Sequence, residues 1–224
     1  MKVAAIIVAA GRGHRAGGGL PKQWRPLAGR TSAQHALQVF ADHPGIHRLI
    51  LVLHPDDVQQ DVWPGTPAAD VVTGGATRSA SVRAGLEVLE GACDQVLIHD
   101  AARPCVTAKI IDGVLAALKT APAAAPAVPV VDTLWRGDAG QVSDIVDRKA
   151  LYRAQTPQGF HVDAILAAHR AFPKGGSDDV ALARQAGLKI VITDGSEDNL
   201  KITVPEDFGR AERILRERHG HQTG

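Results

Sequence analysis

The chain is poor in aromatic residues: Phe, Trp and Tyr make up 4% of 224 residues, with a single Tyr. Stacking platforms for single-stranded nucleic acid need such rings at intervals, so a base-stacking surface is not expected. There are two cysteines, Cys93 and Cys105, with no second pair to complete a metal-ligand pattern, and a reduced cytosolic setting fits best. The charges almost cancel, 25 basic against 24 acidic, which argues against bulk binding to nucleic acid or to a membrane surface. No apolar run approaches the ~20 residues of a membrane span. The first residues lead straight into an apolar segment, without a basic n-region and cleavage site. These absences predict a cytoplasmic globular protein with no nucleic-acid and no membrane partner. The length suits one large domain or two small ones.

What the chain does have is glycine, 23 residues of it, and a concentration of it near the start. Residues 3–10 form an apolar run short enough for a buried parallel strand. Gly11-Arg12-Gly13-His14-Arg15 follows, then three more glycines and Pro21-Lys22. Glycine lets a backbone approach a ligand closely, and successive turned N–H groups make a concavity for anions. Arg12, Arg15 and Lys22 add three cations to this loop, which points to a polyphosphate site. The dinucleotide fingerprint fails, because its third glycine is replaced by His14 or Arg15 and no acid stands about 20 residues on. The Walker loop fails too, since Lys22 is followed by Gln23 and not by Ser or Thr. The other histidines near interesting sequence, His99 and His161, read as satisfied or exposed rather than as ligands.

Beyond the loop, strand and helix patterns alternate. Helices are predicted over 32–40, 77–89, 107–118, 162–172 and 178–186, with a last one from Pro205, a residue suited to a first turn. Strands are predicted over 48–53, 70–73, 95–99, 127–131 and 189–193. Between residues 132 and 156 the pattern changes: 134–136 and 142–146 flank the turn Gly137-Asp138-Ala139-Gly140, a hairpin signal. Such a hairpin either leaves the main sheet as an arm that reaches another subunit or adds to its edge. The architecture implied is α/β, a doubly wound, mostly parallel, Rossmann-like sheet with an inserted β-hairpin arm. The expected organisation is a single domain over residues 1–218, with the arm at about 132–156 and a polar tail at 219–224. Ligands of such sheets bind beyond the carboxyl ends of the strands, where the first loop, 74–81, 100–103 and 198–201 can converge.

Several blocks then occur together in order: Ala9-Ala10-Gly11-Arg12-Gly13-His14-Arg15, Pro21-Lys22-Gln23, His99-Asp100-Ala101-Ala102-Arg103-Pro104, Asp132-Thr133, Val146-Asp147-Arg148, Thr156-Pro157-Gln158 and Asp198-Asn199-Leu200-Lys201-Ile202-Thr203. The sequence resembles the 2-C-methyl-D-erythritol 4-phosphate cytidylyltransferase family of the non-mevalonate isoprenoid pathway over residues 3–212. The resemblance implies transfer of CMP from CTP to methylerythritol 4-phosphate, with release of pyrophosphate and no covalent enzyme intermediate. It places Arg15, Lys22 and Lys201 as the catalytic cations. Ala9, Ala10, Gly11, Gly13, Gly75 and Ser81 would bind the nucleotide, and Asp100, Arg103, Thr133, Arg148 and Thr156 the second substrate. Arg148 and Thr156 would reach the substrate phosphate from a partner subunit, so a homodimer is expected. Asp198 is a possible orienting group for Lys201. Mg²⁺ is expected, bound mainly through the CTP phosphates, with no metal site built from protein ligands.

The sequence departs from the family pattern at Val8, often Pro; at residues 16–20, more polar elsewhere; at Ala76, often acidic; and at Trp24, more often Tyr. The glycine-rich loop resembles that of bifunctional members, so the chain is expected either to act alone or to be one half of such a protein. Two rival readings share the first loop. One is a cytidylyltransferase for another polyol or sugar phosphate, such as ribitol 5-phosphate; the other is a nucleotide-binding regulator without turnover.

Overall fold

The six residues Val3–Val8 carry only small and branched apolar side chains and form the central strand, β1. Ala4 and Ile6 face one side and Ala5 and Ile7 the other, each into a separate buried cluster. A strand buried on both faces needs partners on both edges. β4 (Arg48–Leu53) and β6 (Gln95–Asp100) supply them, both parallel to β1. The computed structural model describes residues 1–12, 20–60 and 65–220 of the chain.

Two short strands, β2 (Pro26–Leu27) and β3 (Arg30–Thr31), make a small separate pair before the first helix. The main sheet has eight strands. β5 (Asp70–Thr73) extends it beyond β4, in parallel. On the other side of β6 lie β11 (Gln158–His161), antiparallel, and then β7 (Ala123–Pro129). β10 (Tyr152–Ala154) is antiparallel to the far end of β7, and β12 (Ile190–Asp194) runs parallel along its other edge. The expected doubly wound, mostly parallel sheet is therefore present.

Helices cover both faces. α1 (Ser32–Ala41) and α4 (Ala108–Ala117) bury Leu37, Phe40, Ile111 and Val114 on one side. α3 (Arg78–Glu87) and α5 (Val162–Ala171) bury Val82, Leu86, Ile165 and Leu166 on the other. α1 starts at a capping box in which Thr31 accepts from the Gln34 N–H and Gln34 answers on the Thr31 N–H. α2 (Pro55–Gln60), α6 (Asp179–Gln185) and α7 (Glu206–Gly220) complete the set, and α7 packs on Leu27 and Cys105 in a third cluster.

Two sequence expectations need correction, and one open alternative is resolved. The strand predicted at 127–131 begins earlier, at Ala123, because the alanine run before it is itself buried sheet strand under α4. β10 and β11 were not predicted; they are short, and Gln155-Thr156-Pro157, with a cis peptide before Pro157, interrupts them. The hairpin, β8 (Leu134–Asp138) with β9 (Gln141–Val146), pairs only with itself, so of the two alternatives it leaves the main sheet. Its return lies at Val146, and residues 152–154 have already rejoined the main sheet.

Candidate active site

β1, β5 and β6 are parallel, and the segments after their carboxyl ends surround one cavity of about 440 Å³. Ala9, Ala10 and Gly11 line it after β1, Gly75 and Ala76 after β5, and Asp100, Ala101 and Ala102 at the end of β6. Lys22, from the 3-10 turn Lys22–Trp24, and Lys201, from the segment before α7, enter from opposite ends of the chain.

The first loop is anchored from below. Gln23 is buried, and its amide donates to Ala9 O at 2.7 Å and to Gly11 O at 2.9 Å. Gly75 lines the wall formed after β5, with Gly74 packed between Ala10 and Ser81. A Cβ at Gly74 would stand 2.8 Å from both Ala10 Cβ and Ser81 Oγ, and one at Gly75 would stand 2.6 Å from Ala80 Cβ. Only glycine permits this approach to the start of α3. Ser81, buried on that helix, accepts from the Gly75 N–H at 3.2 Å and donates to Thr77 O at 2.9 Å.

Charge is concentrated on Asp100. Its Oδ2 accepts from Lys201 Nζ at 2.6 Å and its Oδ1 from Arg78 Nε at 3.1 Å. Burial pushes its pKa upward, but Arg78, Lys201 and Arg103 overrule this and hold the carboxyl far below the usual range. Arg78 also reaches the buried Asp179 through Nη1 at 2.9 Å. Burial lowers the Arg78 pKa and the two carboxylates more than reverse it, so this guanidinium stays charged. Arg103 donates to Asn199 O at 2.6 Å and to Ala154 O at 3.2 Å, and its buried Nε has no hydrogen-bond partner among the described residues.

His99 is fully buried and hydrogen-bonded at both ring nitrogens, to Arg103 O at 3.1 Å and Thr156 Oγ1 at 3.0 Å. The Thr156 hydroxyl in turn accepts from the Asp100 N–H at 3.2 Å. These bonds are satisfied together when Nε2 carries the proton. Burial lowers the His99 pKa to about 4, so the ring is neutral.

The structure thus brings Ala9, Ala10, Gly11, Gly75, Ser81, Asp100, Lys22 and Lys201 to one cavity. Arg103 and Thr156 lie just behind Asp100. The expectation that Thr156 reaches a partner subunit does not fit its placement: it is 4% exposed and bonded to Asp100 and His99 of its own chain. Asp198 does not orient Lys201, because it faces Arg218 at 3.4 Å while Lys201 takes Asp100. Thr133 and Arg148 are exposed and away from the cavity, with Arg148 donating to Val131 O. Arg15 and Gly13 lie outside the described residues. Arg12 lines the cavity, but its charge is met by Asp56 and Asp57 at 2.7 Å each and by His54. Lys22 donates to Ile202 O at 2.7 Å, which ties the first loop to the Lys201 segment.

Sequence reasoning passed over Arg78 and gave Gln23 no role. Their signals were present: an arginine directly after the capping Thr77, and a glutamine fixed behind Lys22.

Comparison with known proteins decides the family. The family profile described as IspD, 2-C-methyl-D-erythritol 4-phosphate cytidylyltransferase, matches residues 3–217. The chain belongs to the 2-C-methyl-D-erythritol 4-phosphate cytidylyltransferase family. A member of that name from Roseobacter denitrificans is 63% identical over 221 residues, covering 99% of this chain and 100% of the relative. A bifunctional IspD/IspF enzyme of Rhodobacter capsulatus is 58% identical over 223 residues, which are 98% of this chain and 58% of that protein. Among solved structures, a 4-diphosphocytidyl-2C-methyl-D-erythritol synthase superimposes with a TM-score of 0.84 at 31% identity, covering 96% of this chain and 99% of that one.

Proposed function

We propose that this IspD-family chain transfers CMP from CTP to 2-C-methyl-D-erythritol 4-phosphate, giving 4-diphosphocytidyl-2-C-methyl-D-erythritol and pyrophosphate. One observation carries the reading: Lys22 and Lys201, from opposite ends of the chain, line the same cavity as a buried, deprotonated Asp100. A phosphate oxygen of the acceptor attacks the α-phosphorus of CTP. The new P–O bond forms as the bond to the bridging oxygen breaks, and pyrophosphate leaves with that electron pair.

Two anions must meet in this reaction, and negative charge accumulates at the α-phosphate. Catalysis is then positioning and electrostatic stabilisation. Lys22 and Lys201 neutralise phosphate charge, and Arg15 of the glycine-rich loop is assigned the same role. The Ala9-Ala10-Gly11 backbone, Gly75 and Ser81 receive the nucleotide. Asp100, acceptor-only, receives hydroxyls of the polyol.

Mg²⁺ carried on the triphosphate supplies charge neutralisation between the phosphates. The donors around the cavity suit an ion that arrives in this way: they are mainly cationic, and each Asp100 oxygen already accepts from a cation. The free Cys93 and Cys105 suit a reducing cytoplasm. We assign the hairpin arm to a homodimer, in which Thr133 and Arg148 of one chain serve the acceptor phosphate at the other.

Incubation with CTP, Mg²⁺ and methylerythritol phosphate should release pyrophosphate, whereas ribitol 5-phosphate should not support release. Lys22→Ala should lower turnover by ~10²-fold, the scale of one lost preorganised charge contact. No release with any divalent metal rejects the reaction, and a normal rate in the variant removes Lys22 from it.

A further inference from the structure

Arg78 lines the cavity beside Asp100, on the side assigned to the acceptor. It opens α3 immediately after the capping Thr77 and spans two carboxylates, Asp100 through Nε and Asp179 through Nη1. Asp179 is 1% exposed at the start of α6 and faces His169 of α5 at 3.2 Å. Without the guanidinium between them, two buried carboxylates would share a site, and one would be driven toward its protonated form. A protonated Asp100 would lose acceptor capacity toward a polyol. It would also lose its hold on Lys201, the cation assigned to phosphate.

We propose that Arg78 is the positioning residue of the acceptor site, fixing Asp100 as an oriented carboxylate shared with Lys201. This rests on the cytidylyl-transfer reading above. The charged groups facing Asp100 are Arg78 from α3, Lys201 from the segment before α7 and Arg103 from its own loop. Asp179 and His169 stand behind Arg78, and the adjoining His99 is buried and neutral. Of these cations, Arg78 alone also holds a second buried carboxylate, so its loss disturbs Asp100 in both charge and direction. An ionised carboxylate has about four acceptor sites; with Arg78 and Lys201 on one each, the rest stay open to hydroxyls.

The test is steady-state kinetics with each substrate varied, over a range of pH, for the unmodified protein, Arg78→Met, Arg78→Lys and Asp179→Asn. Arg78→Met should raise the KM for methylerythritol phosphate ~10-fold or more while the KM for CTP changes little, as for loss of a charge-assisted contact on one substrate only. The acid loss of kcat/KM for the acceptor that belongs to Asp100 lies below the ordinary carboxylate range in the native chain and should rise toward that range, because Asp100 loses its first counter-charge while its burial remains. Arg78→Lys should recover the acidic limb by restoring charge, but only part of the KM, since an ammonium lacks the fork that holds two carboxylates. Asp179→Asn cuts the tie to α6 but leaves Asp100 its cation, so it should lower the melting temperature without moving the limb upward.

A merely structural Arg78 would make Arg78→Met and Asp179→Asn alike, both less stable with an unmoved limb and acceptor KM, and that result overturns the proposal. Should Arg78→Met fail to fold, Arg78→Lys decides: full retention of the native acceptor KM overturns the positioning role. Unmodified protein that releases no pyrophosphate overturns the assigned reaction and this role with it. Native release with unaltered variants overturns only the role of Arg78.

Discussion

His99 shows how one side chain ties the site to stability. Its ring is fully buried, 5.0 Å from the Phe40 ring between centroids, and hydrogen-bonded at both nitrogens. The folded pKa of about 4 lies below the ordinary 6.5, so below about 6.5 the unfolded chain takes a proton that the folded one refuses. The contribution is whole above that value and is lost as pH falls toward 4. Between pH 7 and pH 5 it amounts to roughly 2 kcal/mol. Asp100 does not confuse the reading: its folded pKa is depressed, so its contribution is present above the ordinary carboxylate value and goes only in stronger acid. Urea denaturation at the two pH values should show a larger difference for the native chain than for His99→Gln. Equal differences would remove His99 as the source.

At the scale of elements, the strand after β10 depends on a missing side chain. Gly159 of β11 lies under α4, where an added Cβ would meet Val114 Cγ1 at 2.5 Å and side-chain carbons of Leu118 and Leu97 at 2.9 Å. Gly159→Ala should cost about 1–3 kcal/mol by overpacking. Chemical denaturation at an unchanged m-value checks it, and a loss under ~0.5 kcal/mol would show that α4 moves freely. This is also why the region was hard to read in the sequence. Ala123 to Ala125 carry no β-branched signal and Gly159 carries no side chain at all, yet their small size lets helix and sheet approach. By contrast β1, β4 and β6 are apolar runs whose length and β-branched content announce buried parallel strands.

At the scale of the whole molecule, the hairpin stands apart from the sheet with its apolar side chains uncovered. Trp135 and Ile145 are opposed across β8 and β9, 66% and 67% exposed, and Val131 is exposed beside the arm. A uniquely folded monomer rarely leaves such groups to water in a cluster. The assigned homodimer predicts that the native chain sediments at twice its monomer mass. Trp135→Asp combined with Ile145→Asp should sediment as a monomer that still binds CTP but releases little pyrophosphate. A native monomer with full activity would end the assignment.

The sequence by itself determined the alternation of strand and helix, the cavity at the strand ends and most of the groups around it. Periodicity, glycine and local charge are properties of neighbours along the chain. The family resemblance added Asp100, Lys201 and the acceptor residues. Only the tertiary structure decided how the charges pair. Arg12 goes to Asp56 and Asp57, Asp198 to Arg218, and Thr156 folds in behind Asp100 of its own chain. Arg78 is drawn between two carboxylates from distant segments. An ion pair is set by distance in space and by burial, since the attraction varies inversely with separation and with the local dielectric, and the order of residues contains neither.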